Sequence, residues 1–146
     1  MKRVLLLGGS GQLGTAIRKS WNECEIVSPS HETLKLEDRE GVRAAIERLR
    51  PDVVVNAAAF HDVDRCESEP RPAFEVNALA VRNAARLARD AGSIFVTIST
   101  DYVFDGETEA PYAEHDAPHP LSVYGASKLA GEYLVDSLRM DALIVR

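Results

Sequence analysis

Seven residues, Gly8-Gly9-Ser10-Gly11-Gln12-Leu13-Gly14, separate a compact apolar run at 4–7 from a segment where Leu13, Ile17 and Trp21 recur at helical spacing. A buried strand that turns sharply on glycine and enters an amphipathic helix leaves few folds open. Gly8 allows the tight turn, Gly11 lets backbone approach a pyrophosphate, and Gly14 permits close packing of helix on strand. The helix start adds unpaired N–H groups and a partial positive charge, which suit phosphate. A glycine triplet alone serves packing as readily as binding. Its place between strand and helix makes Gly8, Ser10, Gly11, Gln12, Leu13 and Gly14 candidate nucleotide contacts. The apolar run is too short before the glycines for a signal peptide.

The remaining pattern repeats the alternation. Short apolar runs at 25–27, 53–55, 93–99 and 142–145 are predicted strands, and 40–50, 71–91 and 122–137 are predicted helices. Phe74, Leu79, Ala80, Ala84 and Leu87 are the expected core contacts of the long helix. Strands apolar on both faces, alternating with helices, indicate an α/β, doubly wound parallel sheet of Rossmann-like type, covered on each side. Ligands bind such sheets outside the carboxyl ends of the strands, where strand order reverses. The whole chain, 1–146, reads as one NAD(P)-binding domain, and its stop at a strand end suggests truncation before a substrate domain.

A net charge of −6 argues against a nucleic-acid backbone binder, and no segment is long enough to span a bilayer. Cys24 and Cys66 are isolated and fit no ligand or redox spacing, so reduced thiols in a cytoplasmic protein are expected. His61, Asp62 and Asp64 match no metal-ligand geometry, and no metal is expected.

Chemistry enters with Tyr124 and Lys128. Their four-residue spacing puts phenol and ammonium on one helix face. A nearby cation favours phenolate, and lowering a phenol from about 10 toward 7 takes roughly 4 kcal/mol. Thr100 brings a hydroxyl to the same rim, able to orient a carbonyl oxygen; the plainer alternative is a turn cap. Ala57, Ala58 and Ala59 offer a small-residue floor for a flat cofactor. Asn77 is poorly suited to a helix interior and either reaches loop backbone at the cleft or stays exposed. The stretch Val27-Ser28-Pro29-Ser30-His31 holds neither the acid that selects NAD nor an arginine. Small Ser28 and Ser30 tilt the expectation toward NADPH over NADH.

Together, the glycine loop, Asn56-Ala57-Ala58-Ala59, Tyr124-x-x-x-Lys128 and an upstream Thr100 resemble the extended short-chain dehydrogenase/reductase superfamily. Within it, Arg50-Pro51-Asp52-Val53-Val54-Val55-Asn56, Ser99-Thr100-Asp101-Tyr102-Val103-Phe104-Asp105-Gly106 and Pro120-Leu121-Ser122-Val123-Tyr124-Gly125 resemble the dTDP-4-dehydrorhamnose reductases. The resemblance implies an NAD(P)H-dependent oxidoreductase acting on the 4-keto group of a nucleotide-sugar. Tyr124 would donate the proton, Lys128 assist, Thr100 orient the carbonyl, and Asp101 and Tyr102 face the sugar. It also implies that Leu36, His61, Asn77, Tyr124 and Lys128 adjoin the cofactor, with Lys128 on the nicotinamide ribose, although this chain carries Lys35-Leu36 where an acid is usual and His61 where threonine is common. A longer protein would hold the rest of the sugar pocket and could form a homodimer; this fragment alone is expected to be inactive. The same motifs suit another nucleotide-sugar reductase or epimerase, or a non-catalytic NADP-binding subunit resembling that of methionine adenosyltransferase.

Overall fold

Strand β1 (Lys2–Leu7) lies inside the sheet because its residues are apolar on both faces, and the computed structural model, which describes residues 1–146, builds outward from it. The elements follow as α1 (Gln12–Ser20), β2 (Cys24–Val27), α2 (Arg39–Leu49), β3 (Val53–Asn56), α3 (Val63–Ser68) and α4 (Pro70–Phe74). A π-helical segment (Glu75–Ala80), α5 (Val81–Asp90), β4 (Ile94–Ile98), a 3-10 turn (Asp101–Val103), α6 (Val123–Asp136) and β5 (Ala142–Val145) complete the chain. The sheet is parallel throughout, in the order β2-β1-β3-β4-β5. Strand order therefore reverses between β1 and β3, and the loops after both flank the same crevice.

The expected helices lie on both faces, but unequally. Leu5, Leu7, Val54 and Phe95 meet α2, α5 and α6 through Val42, Ile46, Ala84, Ala88 and Val135. Val4, Leu6 and Val55 meet Ile17 of α1 on the other face. Only the β1-to-β2 crossover runs toward that edge; the later three run the other way, and right-handed crossovers then place their helices together. Leu143 and Val145 of edge strand β5 remain exposed. No helix is long and apolar enough to cross a membrane.

The long helix expected over 71–91 is present as one run of α4, the π segment and α5; the π segment and the separate α3 before it were not expected. Phe74 and Leu79, predicted core, are 38% and 52% exposed, while Ala80 and Ala84 are buried as expected. A π turn inserts an extra residue per turn, so a 3.6-residue extrapolation through it points Leu79 to the wrong side. Short α3 starts at Asp62, whose carboxylate accepts from the Arg65 N–H.

Candidate active site

Gly8 has φ +81°, and its carbonyl accepts from the Gly11 N–H at 3.2 Å, closing the turn after β1. Gly14 packs where a Cβ would overlap the backbone of Gly8 and Gly9, which explains the third glycine. Around this turn lies a cleft of about 550 Å³. Gly8, Ser10, Gly11, Gln12 and Leu13 line it together with Ala57, Ala58, Ala59, His61 and Leu36. The structure thus assembles most of the residues expected around a nucleotide in one space. His31, Leu34, Glu37 and Val76 also line it and went unpredicted. His31 and Glu37 follow β2, so the strand-end rule was the signal that could have found them. Ser28 and Ser30 are not part of this lining. The Ser28 hydroxyl donates to the Leu6 carbonyl at 3.2 Å, and the exposed Ser30 hydroxyl pairs with that of Thr33 at 3.2 Å.

Asn77 is buried, which overturns the exposed alternative. Its Oδ1 accepts from the Phe60 N–H at 2.8 Å, and its Nδ2 donates to the Phe60 carbonyl and to Ser127 Oγ, both at 2.9 Å. The amide is spent on protein partners and does not line the cleft. It straps the loop after β3 to α6, and the π segment brings the strap close: a Cβ on Gly131 would overlap the Asn77 carbonyl.

Helix α6 starts at a double cap. Ser122 Oγ accepts from the Gly125 N–H at 3.0 Å, and Glu67, reaching from α3, accepts from the Val123 N–H at 2.7 Å. A carboxylate at this end is also favoured by the helix dipole. Glu67→Ala should destabilise the protein by about 1 kcal/mol, measured by urea denaturation; an unchanged midpoint would remove Glu67 from the support of Tyr124.

The caps place Tyr124 in the first turn, beside the turn Asp101–Val103. Gly125 makes that approach feasible, because a Cβ there would overlap the Tyr102 carbonyl. Tyr102 and Tyr124 meet edge to face, centroids 5.7 Å apart at 84°. Thr100 is a turn cap, accepting from the Tyr102 N–H, and its hydroxyl donates to Asp101 at 3.2 Å. It also hydrogen-bonds with the Tyr124 phenol. Burial pushes the phenol above its ordinary value, with Thr100 opposing. The expected depression of the Tyr124 pKa is not what the chain builds, because desolvation dominates.

Lys128 is 5% exposed, and its Nζ donates to the Ile98 carbonyl at 2.7 Å. Burial lowers its pKa from 10.5 to about 8, with Glu132 pulling the other way. The folded value lies below the unfolded one, so the unfolded chain binds more protons between them. Stability from this group should therefore rise from about pH 8 to 10.5, by about 3 kcal/mol in all at 1.36 per unit. Urea melts of Lys128→Met should lack that rise; equal pH slopes in both proteins would refute the buried ammonium.

The loop after the 3-10 turn has its own order. Phe104 and Tyr112 stack at 4.1 Å, and Asp105 accepts from the Tyr112 hydroxyl at 2.7 Å with His119 Nδ1 at 3.2 Å. Those hydrogen bonds hold the Asp105 carboxyl below its usual range.

The family profile of the RmlD substrate binding domain matches residues 1–146. A dTDP-4-dehydrorhamnose reductase of Sinorhizobium fredii is 39% identical over 145 residues, covering 99% of this chain and 49% of that protein. The methionine adenosyltransferase 2 subunit beta of Xenopus laevis is 37% identical over 154 residues, covering 99% and 46%. A dTDP-4-dehydrorhamnose reductase of Bacillus anthracis, solved in complex with NADP, superposes with a TM-score of 0.95 at 36% identity, covering 99% of this chain and 52% of that one. The chain spans about half the length of the curated relatives it matches. With a Rossmann-like parallel sheet and a matching profile along all of its residues, this chain belongs to the RmlD substrate binding domain family of extended short-chain dehydrogenase/reductase type.

Proposed function

We propose that this chain is the NAD(P)-binding unit of a reductase that converts the 4-keto group of a dTDP-6-deoxy-hexulose to an alcohol. The observation that carries the reading is the convergence of Thr100, Tyr124 and Lys128 at the β4 rim, strapped by Asn77 to the wall of the glycine cleft. The residues fit a dinucleotide. Helix α1 begins without a side-chain cap, and a Cβ on Gly11 would meet only the Gly8 carbonyl at 3.5 Å, so backbone donors stay accessible to a pyrophosphate. Gly8, Ser10, Gly11, Gln12 and Leu13 would hold the phosphates, Leu36 the adenine end, and Ala57, Ala58, Ala59 and His61 the opposite wall. A bound nicotinamide supplies the hydride that adds to the keto carbon.

The chain's own residues manage the oxygen. As the carbonyl π bond breaks, Tyr124 passes its phenolic proton to that oxygen, leaving alcohol and tyrosinate. A phenol raised by burial keeps its proton at neutral pH, which is the form donation requires. Thr100, its hydroxyl turned from Asp101 to the substrate, donates to the carbonyl oxygen and fixes its direction, Asp101 and Tyr102 face the sugar, and the Lys128 charge offsets the tyrosinate. NADP(H) is the favoured cofactor on the likeness to the NADP-bound Bacillus anthracis reductase.

Mixing a full-length protein that carries this chain with NADPH or NADH and the dTDP-4-keto sugar, and following absorbance of the reduced nucleotide, tests this reading. Sugar-dependent oxidation supports it. Tight NADPH binding without turnover would instead favour a nucleotide-binding regulatory subunit.

A further inference from the structure

Glu132 is a buried carboxylate, 6% exposed, that the proposed chemistry does not use. It lies one helical turn beyond Lys128 on α6, on the same face. Three elements converge on it. The Ser99 hydroxyl, just after β4, donates to Oε1. Arg146, just after β5, donates from Nη2 to Oε2 at 2.7 Å and from Nε to both oxygens at 3.1 and 3.2 Å. Arg146 is itself steadied over the Phe104 ring, 5.2 Å from its centroid. Ser99 and Arg146 thus occupy the carboxylate in a fixed orientation. Lys128 sits nearby on the Ile98 carbonyl, and only a cavity of about 10 Å³ lies among Asn77, Thr97, Ser99, Lys128 and Glu132.

We propose that Glu132, clamped by Ser99 and Arg146, is a positioning residue that keeps the buried Lys128 side chain charged and seated on the Ile98 carbonyl. The charged and titratable groups around Lys128 are few. Glu132 and Tyr124 come from α6, and Arg146 follows β5; β4 contributes Thr97, the Ile98 carbonyl and Ser99, while Asn77 and Val81 face the cavity from the preceding helical run. Glu132 is the one anion among them, lying between two cations. In a site shielded from bulk solvent, its field acts on Lys128 with little screening. Glu132 also draws the lysine toward its ammonium form, against the desolvation that opposes it. The consequence for catalysis rests on the proposed role of Lys128 beside the cofactor; the electrostatic coupling does not.

The test is therefore run without nucleotide. The chain has lysines only at 2, 19, 35 and 128, so ¹³Cε-lysine NMR can follow each through a pH titration, with Lys128→Met assigning the buried signal. In Glu132→Gln the Lys128 midpoint should fall by about one unit, the effect of losing one nearby charge, while Lys2, Lys19 and Lys35 stay put. Loosened packing would expose Lys128 and raise its midpoint, so a fall separates electrostatic positioning from structural damage. An unmoved or raised midpoint in folded Glu132→Gln overturns the proposal. Should that variant not fold, Glu132→Met decides: it fills similar space without a charge, so the midpoint should again fall, and an unmoved or raised value overturns the proposal. Loss of NADPH binding in Lys128→Met, measured separately, addresses the cofactor reading alone.

Discussion

In a full-length protein that carries this chain, Tyr124→Phe should lose 10²–10⁴-fold in turnover of the dTDP-4-keto sugar, the usual worth of a positioned proton donor, while NADPH affinity stays within about twofold. The substitution removes one oxygen and little else. Phenylalanine retains the edge-to-face contact with Tyr102, and the caps from Ser122 and Glu67 use backbone groups that the change leaves alone. The loss should therefore appear in kcat, not in folding or nucleotide binding. Steady-state kinetics beside a fluorescence titration with NADPH separates the two. A variant with wild-type turnover would show that the proton comes from elsewhere and would sink the proposed mechanism.

Gly8→Ala should be the most damaging small substitution in the nucleotide cleft. Alanine at φ +81° is strained whatever the space around it, and its Cβ would stand 2.5 Å from the Ala58 nitrogen and 2.7 Å from the Ala57 carbonyl carbon. Both are backbone atoms, so no rotamer change relieves the clash. The adjoining strand ends are tied by the bond from the Ala57 N–H to the Leu7 carbonyl, 2.9 Å, and must separate to admit the methyl. A cost of about 3 kcal/mol is expected from strain and overlap together, a fall in Tm of roughly ten degrees, with at least a tenfold loss of NADPH affinity. Gly92→Ala is the control. It shares a positive φ, +73°, but its Cβ would meet nothing within 4 Å, so it should cost only about 1 kcal/mol. Similar Tm losses in the two variants would mean that the close approach of the loops after β1 and β3 contributes nothing beyond backbone strain.

Much of the architecture was legible because its signals are local. The runs at 4–7 and 53–55 are apolar on both faces, as interior parallel strands require, and the structure places β1 and β3 at the sheet centre. The glycine loop was readable for a similar reason, since turn, approach and packing each demand a missing side chain. Where local rules misled, the cause was an interaction between distant segments. Leu79 follows helical periodicity and is exposed because it lies within the π-helical segment, which accompanies the Asn77 strap to Phe60 and Ser127. For Tyr124, the four-residue spacing to Lys128 suggested a depressed phenol, and burial against Thr100–Val103 raised it instead.

By itself, then, the sequence determined the strand–helix alternation, the glycine turn and the residue types available for proton chemistry, because periodicity and missing side chains act over a few neighbouring positions. Only the tertiary structure decided that Glu67 caps the helix bearing Tyr124, that Asn77 is a strap behind the cleft, and that Glu132 sits between Lys128 and Arg146. The Glu67, Asn77 and Arg146 contacts span 56, 17 and 14 residues of chain. Their geometry follows from strand order and crossover direction, which no local window encodes.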